Sequence, residues 1–357
     1  MRIAVLGVGL IGGSIGLAAR ARAGAEVCGF DPDAHVRAAA LELGAIGEQA
    51  FDAAAAVEGA DVVFCAAPVG ALPAVAAAAL AAAPAGCVVS DVGSTKRMLA
   101  EVGADERFIG GHPLAGAETA GVEHAREDLF EGATWYLTPA RGNTAGVLYE
   151  RLHRLLVGFG ARPSAIDAAT HDRLMAGVSH LPHVLANALV GQAAATLDAD
   201  PHGLAAVGPS FRDGTRVAGA NSAIWTDIYL ANRDALGDAV EDLERRLRAV
   251  RELLAAGDPD ALTRWNESAR ADRERLLGAA LAGGPVHELR VSVPNRPGVI
   301  AEIALALGSA GVNIADMALS PSPDNSQGVV ALWIAGAERA GRAERLVADL
   351  GFPVARA

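Results

Sequence analysis

The sequence predicts an α/β chain built in three parts: an open, largely parallel sheet flanked by helices, an all-helical segment, and a small α/β unit at the end. Three observations carry this reading. Apolar strand-like runs alternate with helical ones up to about residue 167, strand signals then stop, and from about 285 short strands and helices return. The expected domains are 1–167, 168–282 and 285–357, a division that suits a chain of 357 residues.

The first element, "RIAVLG" (2–7), reads as a short buried strand. "GVGLIGGSIG" follows and opens a helix through about Ala23; a second strand, "AEVCGF", ends at Asp31. The spacing Gly7-x-Gly9-x-x-Gly12 has a physical reading. Gly7 permits a tight turn, Gly9 lets backbone approach a pyrophosphate, and Gly12 allows close helix–strand packing. Leu10 and Ile11 begin the helix, whose free N–H groups and dipole favour phosphate. Asp31 lies about 20 residues past Gly12, where an acid accepts from ribose hydroxyls and repels a 2′-phosphate. A glycine-rich turn without a ligand is the alternative. The strand–turn–helix context and the placed acid favour a Rossmann-type domain binding NAD.

The alternation continues with strands in "DVVFCAAP" (61–68) and "GCVVSDVGSTK" (86–96), the latter ending in a turn that opens a helix. "RFIGGHP" (107–113), "TWYLTP" (134–139) and "ARPSAID" (161–167) complete the sheet. Ligands in such sheets lie beyond the carboxyl ends of the strands, where Pro68, Ser94 and His112 fall. His112 sits in "GGHPLAGAE" (110–118): the glycines are expected to leave room beside a nicotinamide, and Pro113 to stiffen the strand exit.

Composition limits the partners. The net charge of −12 argues against nucleic acid and requires a local basic pocket for any anionic substrate. Mean hydropathy is +0.27, raised by alanine. The most apolar run, 69–83, contains Pro73 and is too short for a bilayer, so no membrane association is expected. The N-terminus shows no cleavage site and reads as cytoplasmic. Cys28, Cys65 and Cys87 lie in apolar strand-like runs without a CxxC pair, which predicts structural burial and no metal.

From Ala168 the pattern is helical. "AATHDRLMAGVSHLPHVLANALVGQAAATL" (168–197) carries few charges, whereas helices at about 232–256 and 258–282 carry dense Arg/Glu faces. An all-helical domain beside a Rossmann domain often supplies a dimer interface and closes the cleft. In "SHLPH", His180 and His183 share a helix face. No third ligand has matching spacing for zinc, and His180 reads equally well as a satisfied buried histidine. "FRDGTR" (211–216) reads as a loop, flanked by Gly208 and Pro209 and containing Gly214; Arg212 or Arg216 there suits a carboxylate clamp.

Five motifs in order, "GVGLIGGSIG", "SDVGSTK", "GGHPLAGAE", "SHLPH" and "DGTR…IWTDIYLAN", resemble the prephenate/arogenate dehydrogenase family of tyrosine biosynthesis over roughly residues 1–280. The resemblance implies NAD-dependent oxidative decarboxylation of prephenate to 4-hydroxyphenylpyruvate. It places His112 on the substrate's C4 hydroxyl with Ser94 assisting, and His183, His180 and Glu118 in or near the substrate site. It puts Arg216 on a substrate carboxylate. Trp225 falls near the pocket in that family, and a core role suits it equally. Arogenate dehydrogenase and a non-catalytic NAD and amino-acid sensor stand as alternatives.

After "GGP" (283–285) a strand–helix–strand–strand–helix–strand order is expected over 287–357, which is ferredoxin-like. "NRPGVIAEIA…GVNI" resembles the ACT domain, a module that binds amino acids at paired-domain interfaces. That resemblance implies an effector, tyrosine in this pathway, held around Asn295, Pro297, Gly298 and Asn313 in a homodimer.

Overall fold

The computed structural model describes residues 1–116, 119–140, 146–198, 207–280, 286–322 and 326–356. They fall into two compact units, Met1–Glu244 and Arg245–Ala357.

The first unit opens with β1 (Arg2–Leu6), α1 (Leu10–Ala23), β2 (Glu26–Phe30), α2 (Ala34–Glu42), β3 (Glu48–Gln49), α3 (Ala53–Val57), β4 (Val62–Cys65), α4 (Leu72–Ala82) and β5 (Val88–Asp91). The five strands form a parallel sheet in the order β3-β2-β1-β4-β5. Strands β4 and β5 are buried at every position, as expected of a parallel sheet covered on both faces. One core lies on each side, around Ile3, Val5, Ile15 and Phe64 on one and Leu6, Val63, Leu72 and Val89 on the other. Cys28, Cys65 and Cys87 are buried and unpaired, and burial pushes the Cys87 thiol up to about 11.

Between β5 and the next strand the chain makes short 3-10 turns at Arg97–Leu99 and Val102–Ala104, where the sequence suggested a helix. Then come β6 (Ile109–Pro113), β7 (Thr134–Pro139), α5 (Val147–Gly158) and β8 (Arg162–Ala165). These three strands form their own sheet, with β6 antiparallel to β7 and a single parallel bridge, Val89 to Phe108, back to the β5 region.

Helices follow: α6 (Ala168–Met175), α7 (Leu181–Asp198), α8 (Pro209–Thr215) and α9 (Ser222–Ala231). Asp167 caps α6 by accepting from Thr170 N–H at 2.9 Å. A π-helical turn, Ala176–His180, joins α6 to α7, and such one-turn insertions concentrate at functional sites. "FRDGTR" is not a loop. Gly208 is the N-cap of α8 and Pro209 its first residue, and a 3-10 turn from Arg216 to Gly219 follows. The glycine and proline that suggested a loop are the start signal of a helix.

Helices α10 (Arg233–Ala256) and α11 (Pro259–Ala280) come next; α10 crosses the boundary between the units. In the second unit β9 (Val286–Pro294), α12 (Val299–Ser309), β10 (Ile314–Pro321), β11 (Gln327–Ala335), α13 (Ala337–Asp349) and β12 (Val354–Arg356) give the ferredoxin-like order β10-β11-β9-β12. Leu289, Val291, Leu332 and Ile334 pack beneath Ile303, Leu307 and Val347.

Candidate active site

The nucleotide cradle forms where β1 turns into α1. Gly7 has φ +96°, and a Cβ there would meet Ala66 O at 2.5 Å, so the turn admits only glycine. Gly9 is the N-cap of α1, and a Cβ on it would meet nothing within 4 Å, so this side lies open for a ligand. Gly12 is required by packing, since its Cβ would fall 1.9 Å from Gly7 O. Leu10 and Ile11 form the first turn of α1. Asp31 follows β2; its Oδ2 accepts from Val8 N–H at 3.1 Å and its Oδ1 from Asp33 N–H at 3.0 Å, which holds the carboxylate beside the glycine turn. Pro68 lies exposed just past β4. These features fit a dinucleotide with unphosphorylated ribose: an open backbone cradle, a helix N-terminus and a fixed acid.

Gly110 and Gly111 have a different role from the one expected. A Cβ on Gly111 would meet Asp91 O at 2.5 Å and Trp135 Nε1 at 2.9 Å, and one on Gly110 would meet Thr138 Oγ1 at 2.3 Å. The pair lets β6 close onto the end of β5, where a charged pair is sealed. Lys96 and Asp91 form a salt bridge with side chains 1% and 0% exposed. Lys96 Nζ also donates to Gly111 O at 2.6 Å, and Asp91 Oδ1 accepts from Gly111 N–H at 3.0 Å. Both charges thus clamp the residue before His112.

His112 Nδ1 lies 2.9 Å from His171 Nε2, and His171 Nδ1 lies 2.8 Å from Asp172 Oδ1. Asp172 is fixed in turn by Lys96 N–H on Oδ1 at 2.8 Å and Arg97 N–H on Oδ2 at 2.9 Å. A carboxylate only accepts, so His171 is protonated on Nδ1 and presents a lone pair on Nε2. His112 must then donate through Nδ1, which leaves its Nε2 as the basic atom. Burial holds the His112 imidazole well below its ordinary value, and the Lys96 cation lowers it further. Ser94 Oγ is shielded from solvent and has no hydrogen-bond partner among the described residues.

A base must be unprotonated to act, and burial beside a cation favours the neutral ring. The kcat/KM profile is therefore expected to hold its plateau through pH 6.5 and fall only as pH drops through the depressed value. A midpoint at or above 6.5 in a steady-state pH series would contradict this assignment.

His183 stacks on Trp225 with ring centroids 3.3 Å apart, and Tyr229 lies 5.6 Å beyond. Burial lowers the His183 imidazole as well. His180 is 1% exposed and meets Trp225 edge-on at 6.1 Å. Arg216 is exposed on the turn after α8, a segment packed against α7. Glu118 lies outside the described residues. In the second unit, Asn295, Pro297 and Gly298 form the turn from β9 to α12, and Asn313 precedes β10. Ile314 pairs with Ile334 and Gln327 with Pro294, so Asn313 and Asn295 stand at opposite ends of the sheet. One copy of the chain does not bring them together.

Sequence reasoning missed His171, Asp172, Asn232 and the Asp91–Lys96 pair. The last sat in plain view inside "SDVGSTK".

An open glycine turn, a helix N-terminus and a fixed acid at the ends of a parallel sheet fit a dinucleotide-dependent oxidoreductase. Comparison with known proteins narrows the class. The prephenate dehydrogenase nucleotide-binding domain matches residues 15–164, its dimerization domain 167–267, and the ACT domain 287–344. Prephenate dehydrogenase of Bacillus subtilis (strain 168) is 32% identical over 354 residues, 97% of this chain and 95% of that protein. The crystal structure of prephenate dehydrogenase from A. aeolicus with hydroxyphenyl propionate and NAD+ superposes with TM-score 0.72 at 28% identity, covering 77% of this chain and 98% of that one. Synechocystis arogenate dehydrogenase superposes with TM-score 0.69 at 29% identity, covering 77% and 100%. The chain belongs to the prephenate dehydrogenase family and is an NAD-dependent oxidoreductase with a C-terminal ACT domain.

Proposed function

We propose that the chain is a homodimeric prephenate dehydrogenase, inhibited by tyrosine through its ACT domain. The observation that carries the chemistry is the chain of hydrogen bonds from Asp172 through His171 to His112, which leaves a lone pair on His112 Nε2. That atom takes the proton of the substrate's C4 hydroxyl. Bound NAD supplies the hydride acceptor. The carbonyl formed at C4 draws the electron pair of the breaking ring–carboxylate bond, CO2 leaves, and the proton on Nε2 returns to the phenol oxygen. Neutral His171 and the Asp172 carboxylate stabilise the imidazolium while it exists.

Gly7, Gly9, Leu10, Ile11, Gly12, Asp31 and Pro68 hold the cofactor. Ser94 bonds the C4 oxygen, and His183 packs on the substrate beside Trp225. Glu118 is assigned to the substrate site on family resemblance. Arg216 meets a substrate carboxylate, which a chain of net charge −12 needs. Arg216→Ala is expected to raise KM for prephenate roughly 10- to 100-fold with the KM for NAD little changed. Equal changes in both would move the clamp elsewhere.

Residues 168–198 form a run long and apolar enough by length and composition to cross a membrane, and its most apolar stretch is largely unburied. Val178, Leu189, Ile224 and Leu230 are exposed apolar residues of this helical region. Its match to a dimerization domain supports covering that surface with a second copy, in a cytoplasmic enzyme. Pairing of ACT domains also supports an effector site that takes Asn295, Pro297 and Gly298 from one copy and Asn313 from the other.

Likeness to an arogenate dehydrogenase structure favours arogenate as a second reading. NADH formation with prephenate and with arogenate, each with and without tyrosine, tests both. Prephenate turnover suppressed by tyrosine is the expected result. Turnover of arogenate alone selects the second reading, and turnover of neither overturns both.

A further inference from the structure

Asn232 follows α9 and is 2% exposed. Its Nδ2 lies 2.8 Å from the carbonyl oxygen of Asp172 and 3.1 Å from Nδ1 of His180. A peptide carbonyl can only accept, so the amide nitrogen, not its oxygen, must face Asp172. The second N–H of that nitrogen then points to His180 Nδ1, which must accept. A neutral imidazole that accepts on Nδ1 carries its proton on Nε2. His180 Nε2 is buried and has no hydrogen-bond partner among the described residues. An unpaired buried donor is destabilising, and a ligand oxygen at that atom would relieve it. The ring stands between the His112–His171 pair and the stacked His183–Trp225 pair, inside the site assigned above.

We infer that Asn232 is a positioning residue that fixes His180 as a neutral Nε2–H donor, and that an oxygen of the bound substrate acid takes this donor. The second half rests on the proposed function; the first does not. Asp172 governs both imidazoles in opposite senses. Its carboxylate acts through His171 to leave His112 Nε2 an acceptor, and its main-chain carbonyl acts through Asn232 to make His180 Nε2 a donor. A hydroxy acid needs both, one atom to receive its hydroxyl proton and one to bond an oxygen. Burial holds His180 at about 4 against the pull of Asp172, with His171 and His183 acting in the same direction as burial, so the ring stays neutral where the enzyme works.

The test is 15N-histidine NMR of the full-length protein with NAD, with and without hydroxyphenylpropionate, from pH 6 to 8.5. His180 is expected as the Nε2–H tautomer throughout, with its Nε2 resonance displaced when the acid is added. A Nδ1–H tautomer overturns the role of Asn232, and an unmoved Nε2 resonance overturns the substrate contact. Asn232→Asp replaces the donor by an acceptor. It is expected to move the proton to Nδ1 and raise KM for the substrate roughly tenfold, with the KM for NAD unchanged. An Asn232→Asp protein that keeps the Nε2–H tautomer and wild-type KM also overturns the inference. If neither prephenate nor arogenate is turned over, the proposed function fails while the tautomer measurement still decides the role of Asn232.

Discussion

Replacing His112 by Asn is expected to lower kcat by about 10²–10⁴-fold while the Kd for NAD, measured by calorimetry, changes by less than about threefold. Asparagine is neutral and smaller than histidine, and the clamp of Lys96 and Asp91 acts on the backbone of Gly111, so the clamp survives the substitution. The variant can still donate toward His171 through its amide. What it lacks is a lone pair of imidazole basicity where Nε2 stood, and the step that suffers is proton removal from the C4 hydroxyl. The residues proposed to hold the cofactor, Gly7, Gly9 and Asp31, make no bond to His112 among the described residues. A variant that keeps kcat within tenfold of wild type would remove His112 from the role of base. A large loss in NAD affinity would show that the substitution had disturbed the β5–β6 contact.

Why was His112 legible in the sequence and His171 not? The first stands in a dense local pattern of two glycines and a proline after a strand, and local patterns are what a sequence displays. Its partner is 59 residues away, in "THDR", which reads as an ordinary polar stretch near a helix start. Asn232 is joined to Asp172 across 60 positions; it closes the stretch "IWTDIYLAN", where nothing local marks it as a partner of Asp172. The parallel sheet, its strand ends and the glycine turn follow from periodicity and spacing within some thirty residues. Contacts between side chains on distant elements depend on how those elements pack.

Two misreadings came from giving a local signal the wrong cause. Gly208 and Pro209 mark the entry to α8, an N-cap followed by proline at the first helical position, not a loop. The sequence suggests that Gly110 and Gly111 make space beside a nicotinamide. The neighbours that exclude a Cβ there are Asp91, Thr138 and Trp135, so the pair serves sheet packing first. By holding β6 against β5, the pair fixes where His112 stands. In "SDVGSTK" the turn and the serine are what the sequence displays. Its Asp91 and Lys96 are a buried ion pair because β6 closes over them, an event outside the motif.

Replacing His171 by Leu is the second large effect, expected at roughly 10²–10³-fold in kcat with little change in the KM for NAD. Leucine occupies much of the volume of the ring, which is fully buried and stands edge-on to His112 and Tyr136. Asp172 keeps the N–H groups of Lys96 and Arg97, so α6 remains docked. His112 loses its only acceptor for Nδ1–H among the described residues. The ring is then free to turn or to shift its proton to Nε2, where the lone pair is needed. The imidazolium formed in the reaction also loses its connection to the Asp172 carboxylate. Since neutral His171 accepts from His112 Nδ1–H and so favours the imidazolium, its removal is expected to move the acid limb of the kcat/KM profile to lower pH. A loss of stability alone would reduce the folded fraction equally at every pH and leave the midpoint where it was. An unshifted limb with kcat within tenfold of wild type would show that His171 fills space and does not direct the proton.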